Sequence, residues 1–129
     1  MKTNEGPALR RIPPLPGRAT RVYIASPGSL PVGGVADNVR RSVDAANELM
    51  EADIAPFVPL LSHFWHFATP HPYERWLWLD FEWVSTCDAL LRLPGESRGA
   101  DREVARAQQL AIPVFYSVAD VLSWEAGLR

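Results

Sequence analysis

The segment Cys87-Asp88-Ala89-Leu90-Leu91-Arg92-Leu93-Pro94-Gly95-Glu96-Ser97-Arg98-Gly99 constrains the chain most, because it reads as strand, loop and helix start in immediate succession. Residues 88–93 are an apolar run of strand length, Pro94-Gly95 breaks it, and the small residues at 97 and 99 let a helix begin. In open parallel sheets ligands sit beyond the carboxyl ends of the strands, and the first turn of the next helix offers free N–H groups to an anion. Within that helix Ala100, Val104, Ala107 and Ala111 form an inward stripe, with Asp101, Arg102, Arg106 and Gln109 outside it. Glu103 lies at the edge of the stripe, on the line Gly99, Glu103, Ala107, Leu110, and is expected to face the loop end of the sheet. A first-turn Glu favoured by the helix dipole would show the same spacing, so the pattern alone leaves both readings open.

The remaining chain repeats this alternation. Residues 1–20 hold four prolines and little apolar periodicity, and are expected to be a flexible tail or an arm laid over a neighbour. Residues 21–25 read as a first strand, followed by Ser26-Pro27-Gly28-Ser29, small residues that permit close backbone approach to a phosphate. Residues 35–52 read as a helix, with Val35, Val39, Val43, Ala46 and Met50 at helical spacing and Asp53 ending it. A short second strand is expected within 54–61, limited by Pro56 and Pro59.

Residues 62–73 carry His63, His66 and His71 among Phe64, Trp65 and Phe67, and with Pro70 and Pro72 they read as a loop, either folded on its own core or covering a substrate. Metal ligands want rigid elements, so no metal is expected there. Residues 73–86 read as a helix apolar on more faces than one core can cover, which points to a second subunit. Asp80 is the exception, a carboxylate set among Trp76, Trp83, Val84 and Cys87. Cys87 and Asp88 stand at the strand entry and read as a packed thiol and a capping carboxylate. Residues 111–116 read as the last strand and 117–127 as a closing helix capped by Ser117. The alternation implies one three-layer α/β domain over 21–129, with a parallel sheet of four to five strands and right-handed crossovers.

A net charge of −2 provides no basic footprint for a nucleic-acid polymer, although single arginines can serve one phosphate. One cysteine cannot make an internal disulfide, and no 18-residue apolar run or signal peptide is seen, so a cytoplasmic, non-membrane protein is the expectation.

Three motifs in order, Tyr23-Ile24-Ala25-Ser26-Pro27, Cys87-Asp88-Ala89-Leu90-Leu91 and Ser97-x-Gly99-x-x-x-Glu103, resemble the nucleoside 2-deoxyribosyltransferase superfamily over residues 21–116. Closest in pattern are its uncharacterised bacterial and phage members and the 2'-deoxynucleoside 5'-phosphate N-hydrolases. The resemblance implies a flavodoxin/Rossmann-like architecture, homo-oligomers that complete each other's sites, and no metal or organic cofactor. It makes Glu103 the nucleophile, Tyr23 its hydrogen-bond partner, Asp80 a substrate-handling group and Ser97 the 5'-phosphate ligand, where transferases acting on free nucleosides carry Asp. The superfamily's first loop usually ends Ala-Gly-Pro, and this chain has Ser26 in place of the Gly.

On that reading the chain is an N-glycosidase or deoxyribosyltransferase for a nucleoside 5'-monophosphate or nucleoside. Glu103 would attack the anomeric carbon, its charge preserved by the helix dipole, while Asp80, raised by desolvation, handles the proton of the leaving base. Ser97, Gly99 and the Ser26, Pro27, Gly28 and Ser29 loop would hold the phosphate. The alternative is a nucleotide-binding or sensing module that uses the same cradle without catalysis.

Overall fold

A computed structural model describes residues 17–28 and 34–128 of the protein. Its elements run β1 (Arg21–Ala25), α1 (Gly34–Glu51), β2 (Ala55–Phe57), a 3₁₀ turn (Pro59–Leu61), α2 (Ser62–Ala68), α3 (Tyr73–Val84), β3 (Ala89–Arg92), α4 (Arg98–Gln109), β4 (Val114–Phe115) and α5 (Val118–Gly127). The four strands are parallel in the order β2-β1-β3-β4, with Tyr23 opposite Phe57 on one side and Leu90 on the other. Such an order places a switch point between β1 and β3, where a three-layer sheet opens its crevice.

Alternation along β1 and β3 divides the core into two layers. Val22, Ile24, Ala89 and Leu91 pack with Ala45, Ala46, Leu49 and Val121 of α1 and α5. Tyr23, Ala25 and Leu90 face the other way, onto Val84, Cys87, Ala100 and Ala107 beside α3 and α4. Each large apolar side chain so buried contributes roughly 1.5–3 kcal/mol. A hydroxyl, a carboxylate and a guanidinium also point into the second layer, those of Tyr23, Glu103 and Arg92, and all three residues are buried.

Several elements differ from the sequence reading. The buried face of α1 is Asn38, Ser42, Ala45, Ala46 and Leu49, whereas Val35 and Met50 are exposed. Small side chains make up most of that face, with Val39 and Val43 half-buried beside it. The second strand shrinks to Ala55–Phe57, because Pro59 starts a 3₁₀ turn where its missing N–H costs nothing. The expected His-rich loop is instead helical over Ser62–Ala68, since Pro70 and Pro72 fall after its end. The last strand keeps only Val114–Phe115, because Ala111 takes φ 59° after α4 and does not join the stripe of Ala100, Glu103 and Ala107.

Residues 1–16 of the expected tail lie outside the described residues, as does Ser29. The inner end of that segment is tied down: Arg18 donates to both oxygens of Asp88 at 2.8 Å, and Ala55 N–H donates to Thr20 O at 2.8 Å. Asp88 also accepts from Arg21 N–H, and the Arg18 hydrogen bonds hold its carboxyl below the usual range. No helix among the described residues is long and apolar enough to cross a membrane.

Candidate active site

The carboxyl ends of β1 and β3 carry two loops that dock on each other. Pro27 is buried against Gly95, where an added Cβ would stand 2.7 Å from Pro27 Cγ and where φ is +120°, so only glycine fits. Beyond this junction Ser97 adopts extended backbone geometry and caps α4, its Oγ accepting from Ala100 N–H at 3.0 Å. The cap occupies the oxygen as acceptor and leaves the hydroxyl proton to donate outward. Asp101 N–H bonds back to Ser97 O, while the N–H groups of Arg98 and Gly99 belong to the first turn, where no helical partner exists.

A cavity of about 550 Å³ opens over this helix start, within the size range of small-molecule sites. Ser26, Gly28, Ser97, Arg98 and Gly99 form one wall, and His63, His66, His71, Tyr73 and Trp76 form the other. Gly99 keeps that space open, because a Cβ there would meet the Tyr73 hydroxyl at 3.3 Å. His66 is fixed through Nδ1, which accepts from Trp76 Nε1 at 2.7 Å and from the His71 backbone N–H at 3.2 Å. Trp65, His71 and Trp76 meet edge to face beside it. Among the described residues no group of three or more His, Cys, Asp or Glu is arranged to hold a metal ion.

Glu103 lies one helical turn below Gly99 on the inner face of α4. It is only 6% exposed, and its Oε2 accepts from the Tyr23 hydroxyl at 2.8 Å. Its carboxyl also shares a hydrogen bond with that of Asp80 on α3, an arrangement that requires one of the two to carry a proton. Burial, then the charge and hydrogen bond of Asp80, push Glu103 well above the usual carboxylate range. Burial raises Asp80 to about 6, opposed by the Glu103 hydrogen bond. The two groups therefore titrate as one unit, which retains a proton at neutral pH because two adjacent buried carboxylates cannot both ionise. Burial first, and the two carboxyls after it, also raise the Tyr23 hydroxyl well above its ordinary value, so it stays a donor.

The expectation that the helix dipole would keep Glu103 ionised is corrected here. The helix starts at Arg98, which puts Glu103 in the second turn, and dipole effects fade beyond the first. Burial beside Asp80 dominates instead. Nor do both carboxyls line the loop-end cavity. Asp80 faces an apolar cavity of about 620 Å³ bounded by Val43, Met50, Phe57, Trp65, Leu79 and Trp83, while Glu103 sits beneath the surface. Ser62 borders both cavities.

Arg92 had no role in the sequence reading, which counted it only within the apolar run of residues 88–93. It follows Leu90 on the layer facing α4, is 9% exposed, and donates to Asp101 Oδ1 at 2.8 Å and to Leu93 O at 2.5 Å. Its cation lowers the proton affinity of Glu103, though by less than burial and Asp80 raise it. Cys87 packs in the opposite, strand-entry region, where burial raises its thiol.

No family model and no curated protein matches the chain. Among solved structures, that of a 2-deoxyribosyltransferase from the psychrotolerant bacterium Bacillus psychrosaccharolyticus, described as a biocatalyst for the synthesis of antiviral and antitumoral nucleosides, superposes with a TM-score of 0.56 at 17% identity. The alignment covers 74% of this chain and 69% of that one. At that identity the likeness carries the fold, a parallel α/β sandwich of the flavodoxin/Rossmann kind.

Proposed function

We propose that the protein cleaves the N-glycosidic bond of a nucleoside 5'-monophosphate, passing the sugar through a covalent ester on Glu103. The observation that carries this reading is the hydrogen-bonded pair Asp80 and Glu103, with Tyr23 on Oε2, set one helical turn beneath an anion cradle. From Gly99 to Glu103 the helix rises about 6 Å, roughly the span of a pentose bearing a 5'-phosphate. The shared proton gives the correct count for the first step. As the pair's single proton passes from Glu103 to Asp80, the freed Glu103 carboxylate attacks the anomeric carbon, the carbon–nitrogen bond breaks toward the base, and the base nitrogen takes the proton from Asp80. Asp80, now a carboxylate, removes a proton from water or from an incoming base as that nucleophile displaces Glu103.

The neighbouring 2-deoxyribosyltransferase fold supports sugar transfer as the chemistry, and the serine cap at Ser97 favours a phosphorylated substrate. Ser97 O–H and the Arg98 and Gly99 N–H groups can donate to phosphate oxygens, while Gly28 leaves room for their approach. Ser26 contributes less directly: its hydroxyl turns to Pro27 O at 3.4 Å. Pro27 acts by seating the loop on Gly95. No step calls for a metal or organic cofactor.

The test is incubation with 2'-deoxynucleoside 5'-monophosphates and the matching nucleosides, followed by chromatography for free base. Base release from monophosphates supports the reading. Tight binding without release from any of them would make the protein a nucleotide-binding module instead.

A further inference from the structure

We propose that His63 is the proton-linked wall of the anion cavity, its Nε2 donating to a phosphate monoester and taking up a proton as that ligand binds. The inference rests on the phosphate reading above and adds a residue that the motifs do not contain. His63 Nε2 is occluded from solvent and has no hydrogen-bond partner among the described residues. Buried polar nitrogens are normally satisfied, so one left without a partner in the wall of a cavity points to a ligand atom reached on binding.

The surroundings favour an anion as that ligand. His63 lines the cavity with Ser26, Gly28, Ser97 and Gly99, and its Nε2 lies 3.5 Å from the place a Cβ would take on Gly28. The ring is therefore seated against the same loop that the phosphate must approach. His66 differs, since its Nδ1 is already engaged by Trp76 and His71.

Charge explains why binding and protonation should be coupled. The groups facing this space are His66 and His71 from the His63 segment, Tyr73 from α3, and Glu96 and Arg98 at the start of α4. Burial, and then His66, hold the His63 imidazole below its ordinary value, so at neutral pH it carries no charge. A phosphate dianion beside Nε2 reverses the balance, because an opposite charge within a few ångströms favours the charged ring. Protonation of His63 then accompanies binding, and affinity falls as pH rises through the pKa of the bound state.

Calorimetry with inorganic phosphate, repeated at pH 7.5 in buffers of different ionisation enthalpy, reads the proton count directly. The parent should take up a substantial fraction of a proton beyond that owed to phosphate itself. In His63→Gln, which keeps an N–H donor but cannot titrate, the excess uptake should vanish while affinity falls on the order of tenfold, the scale of a lost charge-assisted hydrogen bond. His63→Phe should bind more weakly still. Equal proton uptake and affinity in the parent and His63→Gln would overturn the proposal. If Ser97→Ala weakens phosphate while both His63 variants bind like the parent, the cradle reading stands and the His63 role fails. Absence of millimolar phosphate binding by the parent would sink both.

Discussion

Replacing Asp80 by Asn should make the protein more stable at neutral pH while abolishing its chemistry. The folded protein holds Asp80 near 6 against an ordinary value of 3.8, a difference of roughly two units. A raised carboxyl means the folded state binds a proton that the unfolded chain has lost. Stability from this group is complete below the unfolded value and is lost as pH rises through about 6, amounting to ~3 kcal/mol at 1.36 kcal/mol per unit. The amide of Asn fits the same space, carries no charge to desolvate and can donate to Glu103, which also loses its repelling neighbour. Urea unfolding of both proteins between pH 4 and pH 8 measures the difference and cancels the contributions common to both. The account predicts near-equal stability at pH 4 and an advantage for Asp80→Asn that grows to about 2–3 kcal/mol by pH 8. A variant no more stable than the parent at pH 8 would refute the strained carboxyl pair.

Other consequences follow from single contacts. Ser97→Ala removes both the helix cap and the phosphate hydroxyl, so it should lose roughly 1–3 kcal/mol of the preference for monophosphate over nucleoside, read from the ratio of kcat/KM values. Gly95→Ala forces an L-residue to φ +120° against Pro27 and should cost about 1–3 kcal/mol in chemical denaturation, with parental stability overturning the loop-docking argument. Trp78, Trp83, Phe64 and Phe67 are all substantially exposed on α3 and α2, so light scattering should give at least a homodimer at micromolar concentration, and a monomer would refute that assembly.

The sequence disclosed the alternating architecture because strand length, breakers, the small residues that open α4 and the cap at Ser117 are local signals. It also brought Tyr23, Asp80 and Glu103 together through the resemblance, and their mutual hydrogen bonds are a matter of geometry rather than of spacing. What it concealed has physical causes. The seven-residue α2 buries none of its side chains, so it carries no apolar period, and its aromatics read as loop. The α1 face was misjudged because Asn38 and Ser42 are small enough to lie against the sheet while Met50 is not needed there. Arg92 and the unpartnered Nε2 of His63 gain meaning only from tertiary neighbours, Asp101 and Glu103 for one and Gly28 for the other.

The central claim is that Glu103 forms a bond to the sugar, and base release by Glu103→Gln tests it most directly. That amide preserves the volume beside Tyr23 and Asp80 but cannot act as the carboxylate nucleophile. With 2'-deoxynucleoside 5'-monophosphates as substrates, the parent should release base and Glu103→Gln should release none above the solvent rate while still binding nucleotide. Release by Glu103→Gln at a rate near the parent's would contradict the account and move the chemistry to another group.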